Sequence, residues 1–142
     1  MDNERNCEGV VECTALVLAE GSSELDDRLT LFGILDELRP GQREGEGFSF
    51  VVYAKFEGCE HARQGERRAR ILVTDEEGEV LDESTEYSVW LNGEEGPATI
   101  VATFELVEIP SGSEEGLLWV EAELDEETLA QTAIPLRERY NV

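Results

Sequence analysis

The chain has 142 residues, 40% hydrophobic and 32% charged, and its 34 acidic against 11 basic residues leave a formal net charge of −23. That length predicts a single domain over 1–142, able to bury about 68–70% of the surface its unfolded chain exposes, so that neither a disulfide nor a metal is needed to hold it. A field of that sign repels phosphate backbones, and no window approaches the ~18–20 apolar residues of a membrane span, so nucleic acid and membrane are excluded as partners.

The chain opens on MDNERNCEGVVE, with carboxylates where a signal peptide is basic and no apolar run before a small-residue cleavage site. Residues 1–10 are expected to be a flexible N-terminus and the protein cytoplasmic. In a reducing compartment Cys7, Cys13 and Cys59 are expected to be free thiols or ligands. Apolar residues then recur at period two far more than at 3.6, between turn residues, which predicts an all-β chain. The predicted strands are Val11–Glu20, Arg28–Leu38, Phe48–Glu57, Arg67–Asp75, Glu79–Leu91, Ala98–Ile109, Leu117–Asp125 and Thr128–Leu136, about eight in all, with 137–142 as a C-terminal tail.

The third of these alternates most cleanly. Phe48, Phe50, Val52, Ala54 and Phe56 fall on one side, and Ser49, Val51, Tyr53, Lys55 and Glu57 on the other. Ala69, Ile71 and Val73 in the fourth, and Leu118, Val120, Ala122 and Leu124 in the seventh, continue the inward row. Phe48, Phe50, Val52, Phe56, Ile71 and Val73 should therefore be buried together. The stretches Asp75–Gly78 and Asp125–Glu127 have lengths typical of tight hairpin connections. The longest connection, Arg39–Gly47, is rich in Gly and charge, and the change from one sheet to the other is expected there. The fold class that follows is an antiparallel two-sheet β-sandwich.

The succession VVECTALVLAEG, LTLFGILDEL, FSFVVYAKFEG, RARILVTDEEGEVL and LLWVEAELDEETLAQTAIPL resembles a family of small uncharacterised bacterial single-domain β-sandwich proteins. The resemblance covers most of the chain and implies an immunoglobulin-like fold. It implies no established activity and no set of functional residues.

Chemistry has few footholds. Nucleophilic catalysis most often needs a His beside its nucleophile, and the chain has one, His61. No Gly-x-Ser-x-Gly elbow, phosphate-cradling glycine loop or His-Glu-x-x-His helix occurs, so the chain is not expected to be an enzyme and no cofactor is implied. Cys59-x-His61 with Cys7 and Cys13 offers zinc-type ligands, but gaps of five and one residues are not those of structural zinc pairs, so no metal site is expected. The acidity itself admits three readings: a solvated surface tuned for solubility or a salty cytoplasm, a surface for a basic partner including DNA mimicry, or carboxylates gathered for Ca²⁺. The predominance of Glu over Asp weakens the last.

One stretch turns basic. If consecutive strands each cross the sandwich, the loops after the first, third, fifth and seventh share an end. His61, Arg63 and Arg67 would then sit among Glu24, Asp26, Asp27, Glu94, Glu95, Asp125, Glu126 and Glu127, and Arg63, Arg67, Arg68 and Arg70 read as a counter-charge cluster or as an anion pocket. Outward rows supply a candidate partner surface: Val51 and Tyr53 on the third strand, and Trp119 on the seventh. The function expected is a non-catalytic interaction or structural module that takes a protein partner or forms a homo-oligomer. The alternative is a small-ligand or metal-binding domain using the loop end around Cys59, His61 and Arg63–Arg70.

Overall fold

A computed structural model describes residues 11–37, 48–58, 66–90, 98–106 and 117–135. They form nine strands: β1 (Val11–Leu25), β2 (Arg28–Ile34), β3 (Phe48–Gly58), β4 (Glu66–Thr74), β5 (Val80–Glu83), β6 (Tyr87–Trp90), β7 (Ala98–Leu106), β8 (Leu117–Leu124) and β9 (Glu127–Pro135). Among the described residues no helix is long and apolar enough to cross a membrane. The expectations for 1–10, Cys7, 39–47, Cys59, His61, Arg63, Glu94, Glu95 and 137–142 lie outside these residues.

Every pairing is antiparallel. One sheet has the order β2-β1-β3-β7; the other has β5-β4-β8-β9, with β6 pairing with β4. We call them the first and second sheets. The succession β3 and β4 in opposite sheets, β7 back on β3, then β8 on β4 and β9 on β8, is the Greek-key order of an immunoglobulin-like sandwich. The β1–β2 hairpin adds β2 outside β1.

Alternation explains the core. Phe50, Val52, Ala54 and Phe56 of β3 meet Ala69, Ile71 and Val73 of β4 and Leu118, Val120, Ala122 and Leu124 of β8, all buried, with Leu18, Val89, Ile100, Ala102, Phe104 and Ile134 completing the layer. The Phe50 and Phe104 rings stack with centroids 5.5 Å apart. The expectation for the Phe48 side chain lies outside the described residues.

Three expectations are corrected. The sheet change is not at Arg39–Gly47, because β2 and β3 flank β1 in the same sheet; the chain changes sheets between β3 and β4, between β6 and β7 and between β7 and β8. The loops after the first and third strands do not share an end. Both β2 and β3 run antiparallel to β1, so the β1–β2 turn and the end of β3 lie at opposite ends of the sheet. The expected strand Glu79–Leu91 is divided into β5 and β6. Between them Ser84 donates its backbone N–H to the Ile71 carbonyl at 2.9 Å and accepts the Ile71 N–H on its hydroxyl at 2.9 Å, a side chain taking one place in the ladder of β4.

The turns are local chemistry. Asp75 accepts the N–H groups of Glu77 and Glu79 on its Oδ1, at 2.8 and 2.9 Å, and Gly78 supplies the positive φ of 85° that closes the β4–β5 turn. The β1–β2 and β8–β9 hairpins have two-residue loops with positive φ at both positions: 52° and 61° at Asp26 and Asp27, 50° and 69° at Asp125 and Glu126. Type I′ turns require this, because their twist matches that of the flanking strands. Left-handed backbone costs a non-Gly residue ~1–2 kcal/mol, whereas glycine's added freedom in the unfolded chain costs about 0.4–1 kcal/mol. Glu126→Gly should therefore raise stability by ~0.5–1 kcal/mol, read as a higher melting temperature, while Thr132→Gly, in the extended body of β9, should lower it.

Candidate interaction surface

Strand register decides what each outer sheet face presents. On the first sheet, Ile34, Ala19, Val51 and Thr103 lie abreast across β2, β1, β3 and β7, and Val17, Tyr53 and Val101 form the next row. Ala19 is buried and Val51 is only 6% exposed, while Ile34 at the margin is 56% exposed and Phe32 beside it 52%. Lys55 closes the face beyond Tyr53, with its ammonium 3.0 Å from Glu57; that hydrogen bond is the main cause raising the Lys55 pKa.

Beyond Ala19, among the described residues, β1 leaves β3 and pairs with β2 alone, so that Glu20–Leu25 and Arg28–Ile34 form a two-stranded arm. Two glycines shape it. A Cβ on Gly21 would collide with the Phe32 ring, which lies across β1 at that point. A Cβ on Gly33, where φ is +69°, would collide with the Glu20 side chain, whose carboxylate crosses over β2. Leu25 and Leu29 near the tip are exposed as well.

The outer face of the second sheet is different. Arg70 lies between carboxylates, with Nη2 2.9 Å from Glu123 and Nη1 3.3 Å from Glu83, and the Glu123 hydrogen bond is the first cause of its raised pKa. Arg68 reaches Glu86 at 3.2 Å, and the Ser88 hydroxyl donates to Glu66 at 2.7 Å. Leu72 and Thr74 are buried on this face and Trp119 is half-buried; Trp90, toward the far end, is 65% exposed.

The predicted site residues are thus separated. Val51 and Tyr53 share the first sheet's outer face, but Trp119 is on the outer face of the second, on the opposite side of the sandwich, so the three do not make one patch. The arginines are divided too. Arg68 and Arg70 face outward, whereas Arg67 lies on the row of Ala69 and Ile71 at the end of the core, its Nε 2.7 Å from Asp125 Oδ2. Asp125 also accepts the Arg68 N–H at 3.1 Å. Each described arginine of the cluster is engaged by a carboxylate. The Arg67 Nη1 is shielded from solvent and has no hydrogen-bond partner among the described residues. Asp125→Ala removes both bonds that this carboxylate accepts and should cost about 1–2 kcal/mol, the exposure of the pair holding it to the low end for charged hydrogen bonds; a urea midpoint measures it.

Cys13, in β1 where its register with β3 shifts, is a free thiol whose Sγ lies 3.2 Å from the Ala15 carbonyl. Burial, the largest cause, pushes its pKa up. Among the described residues no group of three or more His, Cys, Asp or Glu side chains could hold a metal ion.

No family model matches the chain, and no curated protein matches it by sequence. Among solved structures it is similar to the alkylpurine DNA glycosylase AlkC of Pseudomonas fluorescens, bound to DNA containing an abasic site analog. The identity is 11% and the TM-score 0.51, over 89% of this chain and 30% of that one. It is also similar to a β-glucuronidase from glycoside hydrolase family 2, at 15% identity and a TM-score of 0.47, over 70% of this chain and 10% of that one. A third is an immunoglobulin-like protein from Pseudomonas aeruginosa, at 15% identity and a TM-score of 0.47, over 92% of this chain and 98% of that one. The chain spans 30% and 10% of the first two, which are much longer proteins. At such identities the likeness shows the fold alone, and no activity transfers with it.

The arm was the feature that sequence reasoning missed. Its signals were present: SSELDDRLT places two turn-forming Asp residues between alternating runs, and RLTLFGI is apolar on both of its rows, which a one-faced sheet strand is not.

Proposed function

We propose that this protein is a non-catalytic interaction module that takes a protein partner on the outer face of its first sheet. One observation carries the reading: Ile34 and Phe32, each more than half exposed, stand at the β2 margin of that face, with the half-buried Val17, Tyr53 and Val101 in a row across β1, β3 and β7, whereas ion pairs occupy much of the second sheet's outer face. Exposed apolar side chains of this kind are stabilised by being covered. The −23 charge serves on this reading as a solubilising field around the contact face, which is also suited to a basic partner.

Photo-crosslinking in the native host tests it. A benzoylphenylalanine placed at Tyr53 should give a covalent adduct of discrete mass, and the same group at Ser88, on the other outer face, should not. An adduct of twice the chain's mass would make the partner a second copy. No adduct at 53, or equal adducts at both positions, would overturn the proposal.

A further inference from the structure

The proposed contact face ends on β2, whose second edge is covered by no described strand. Leu35 donates its N–H to the Leu18 carbonyl at 2.9 Å, so the neighbouring Ile34 C=O is turned away from β1, and in an extended residue the N–H turns with it. This edge carries different chemistry on its two sides. On the outer side are the exposed Ile34 and Phe32. On the other, the Glu20 side chain lies against Gly33, whose lack of a side chain leaves room for the carboxylate over β2. Glu24, Asp26 and Asp27 extend the negative charge along the arm, against Arg28 alone.

We infer that β2 is a docking edge for an extended segment whose side chains alternate apolar and cationic. That segment would add a strand to the first sheet, with its apolar row beside Ile34 and Phe32 and its Lys or Arg row beside Glu20. Main-chain hydrogen bonds supply the affinity in such strand addition, and alternate side chains supply the selection. Charge argues for this occupant over a second copy. Two copies paired through β2 would bring the carboxylates of both arms together in addition to the overall −23 on each chain, whereas a cationic row is attracted by both.

The inference rests on the reading of the first sheet's outer face as a contact surface, and the experiment separates the two. The probes are dye-labelled octapeptides, an alternating Lys-Val and an equally charged alternating Lys-Ser, titrated with the full chain by fluorescence anisotropy at 0.15 M salt. The Lys-Ser peptide reports the non-specific attraction of a cation for an acidic protein. Lys-Val should bind at least about tenfold tighter than Lys-Ser. Glu20→Gln should weaken Lys-Val by roughly two- to fivefold, the effect of one exposed charge. Ile34→Pro, which removes the outward N–H, should abolish the difference between the peptides. Ile34→Ala, which keeps the N–H, should retain part of it, and the melting temperature of each variant reports that the sandwich is intact. Equal affinities, or a Lys-Val preference indifferent to Ile34→Pro, would overturn strand addition. So would a dimer abolished by Ile34→Pro in the absence of any Lys-Val preference, which would assign the edge to a second copy. A crosslink at position 53 without a Lys-Val preference defeats the edge alone; a Lys-Val preference without the crosslink defeats the face and leaves the edge.

Discussion

Phe50→Ala should destabilise the protein by about 3–5 kcal/mol, a large share of the ~5–15 kcal/mol that holds a domain of this kind together. Phe50 is fully buried, stacked on Phe104 across the β3–β7 pair and facing the second sheet, so truncation removes apolar contact and leaves a cavity between layers that cannot close without moving whole sheets. The readout is the urea midpoint at unchanged slope. A loss below about 1 kcal/mol would mean that the two sheets do not meet over this ring.

The second large effect is on the melting temperature, which should rise with added salt. Self-repulsion of the −23 charge is screened over ~10 Å at 0.1 M and ~3 Å at 1 M. Among the described residues the pairs that salt weakens are those of Lys55, Arg67, Arg68 and Arg70, all at least partly exposed, and surface pairs of this kind contribute little. Repulsion therefore outweighs them. Melting in NaCl and in KCl across that range, at neutral pH and fixed protein concentration, measures the balance. A flat or falling curve would mean that the carboxylates are locally compensated. A rise at micromolar Ca²⁺, where screening is negligible, would instead report a bound cation.

Much of this architecture was legible in the sequence because period-two alternation reports burial directly. Phe50, Val52 and Phe56 on β3, Ile71 and Val73 on β4, and Leu118 and Val120 on β8 are buried where the pattern places them. Alternation states which row faces inward but not which sheet a strand joins. Tyr53 and Trp119 both read as outward, yet they are on opposite faces of the molecule. The long, glycine-rich Arg39–Gly47 connection suggested a sheet change, although β2 and β3 flank the same strand, because loop length does not specify destination. The arginine cluster reads as one group along the chain and divides on folding, since neighbours in a strand point to opposite sides: Arg67 lies on the core row and Arg68 on the outer one. The Glu20–Gly33 and Phe32–Gly21 contacts depend on a hairpin register that no local pattern reveals.

The two outer faces carry their own reporters, which makes the central claim directly measurable. Phe32 and Tyr53 mark the first sheet, and Trp90 and Trp119 the second. Hydroxyl-radical footprinting can compare the oxidation of these four side chains in the purified protein and in intact cells of the native host. A partner on the first sheet predicts that Phe32 and Tyr53 are protected in cells while Trp90 and Trp119 react as they do in the purified protein. Protection of the tryptophans with Phe32 and Tyr53 unchanged, or no protection of any of the four, would contradict it.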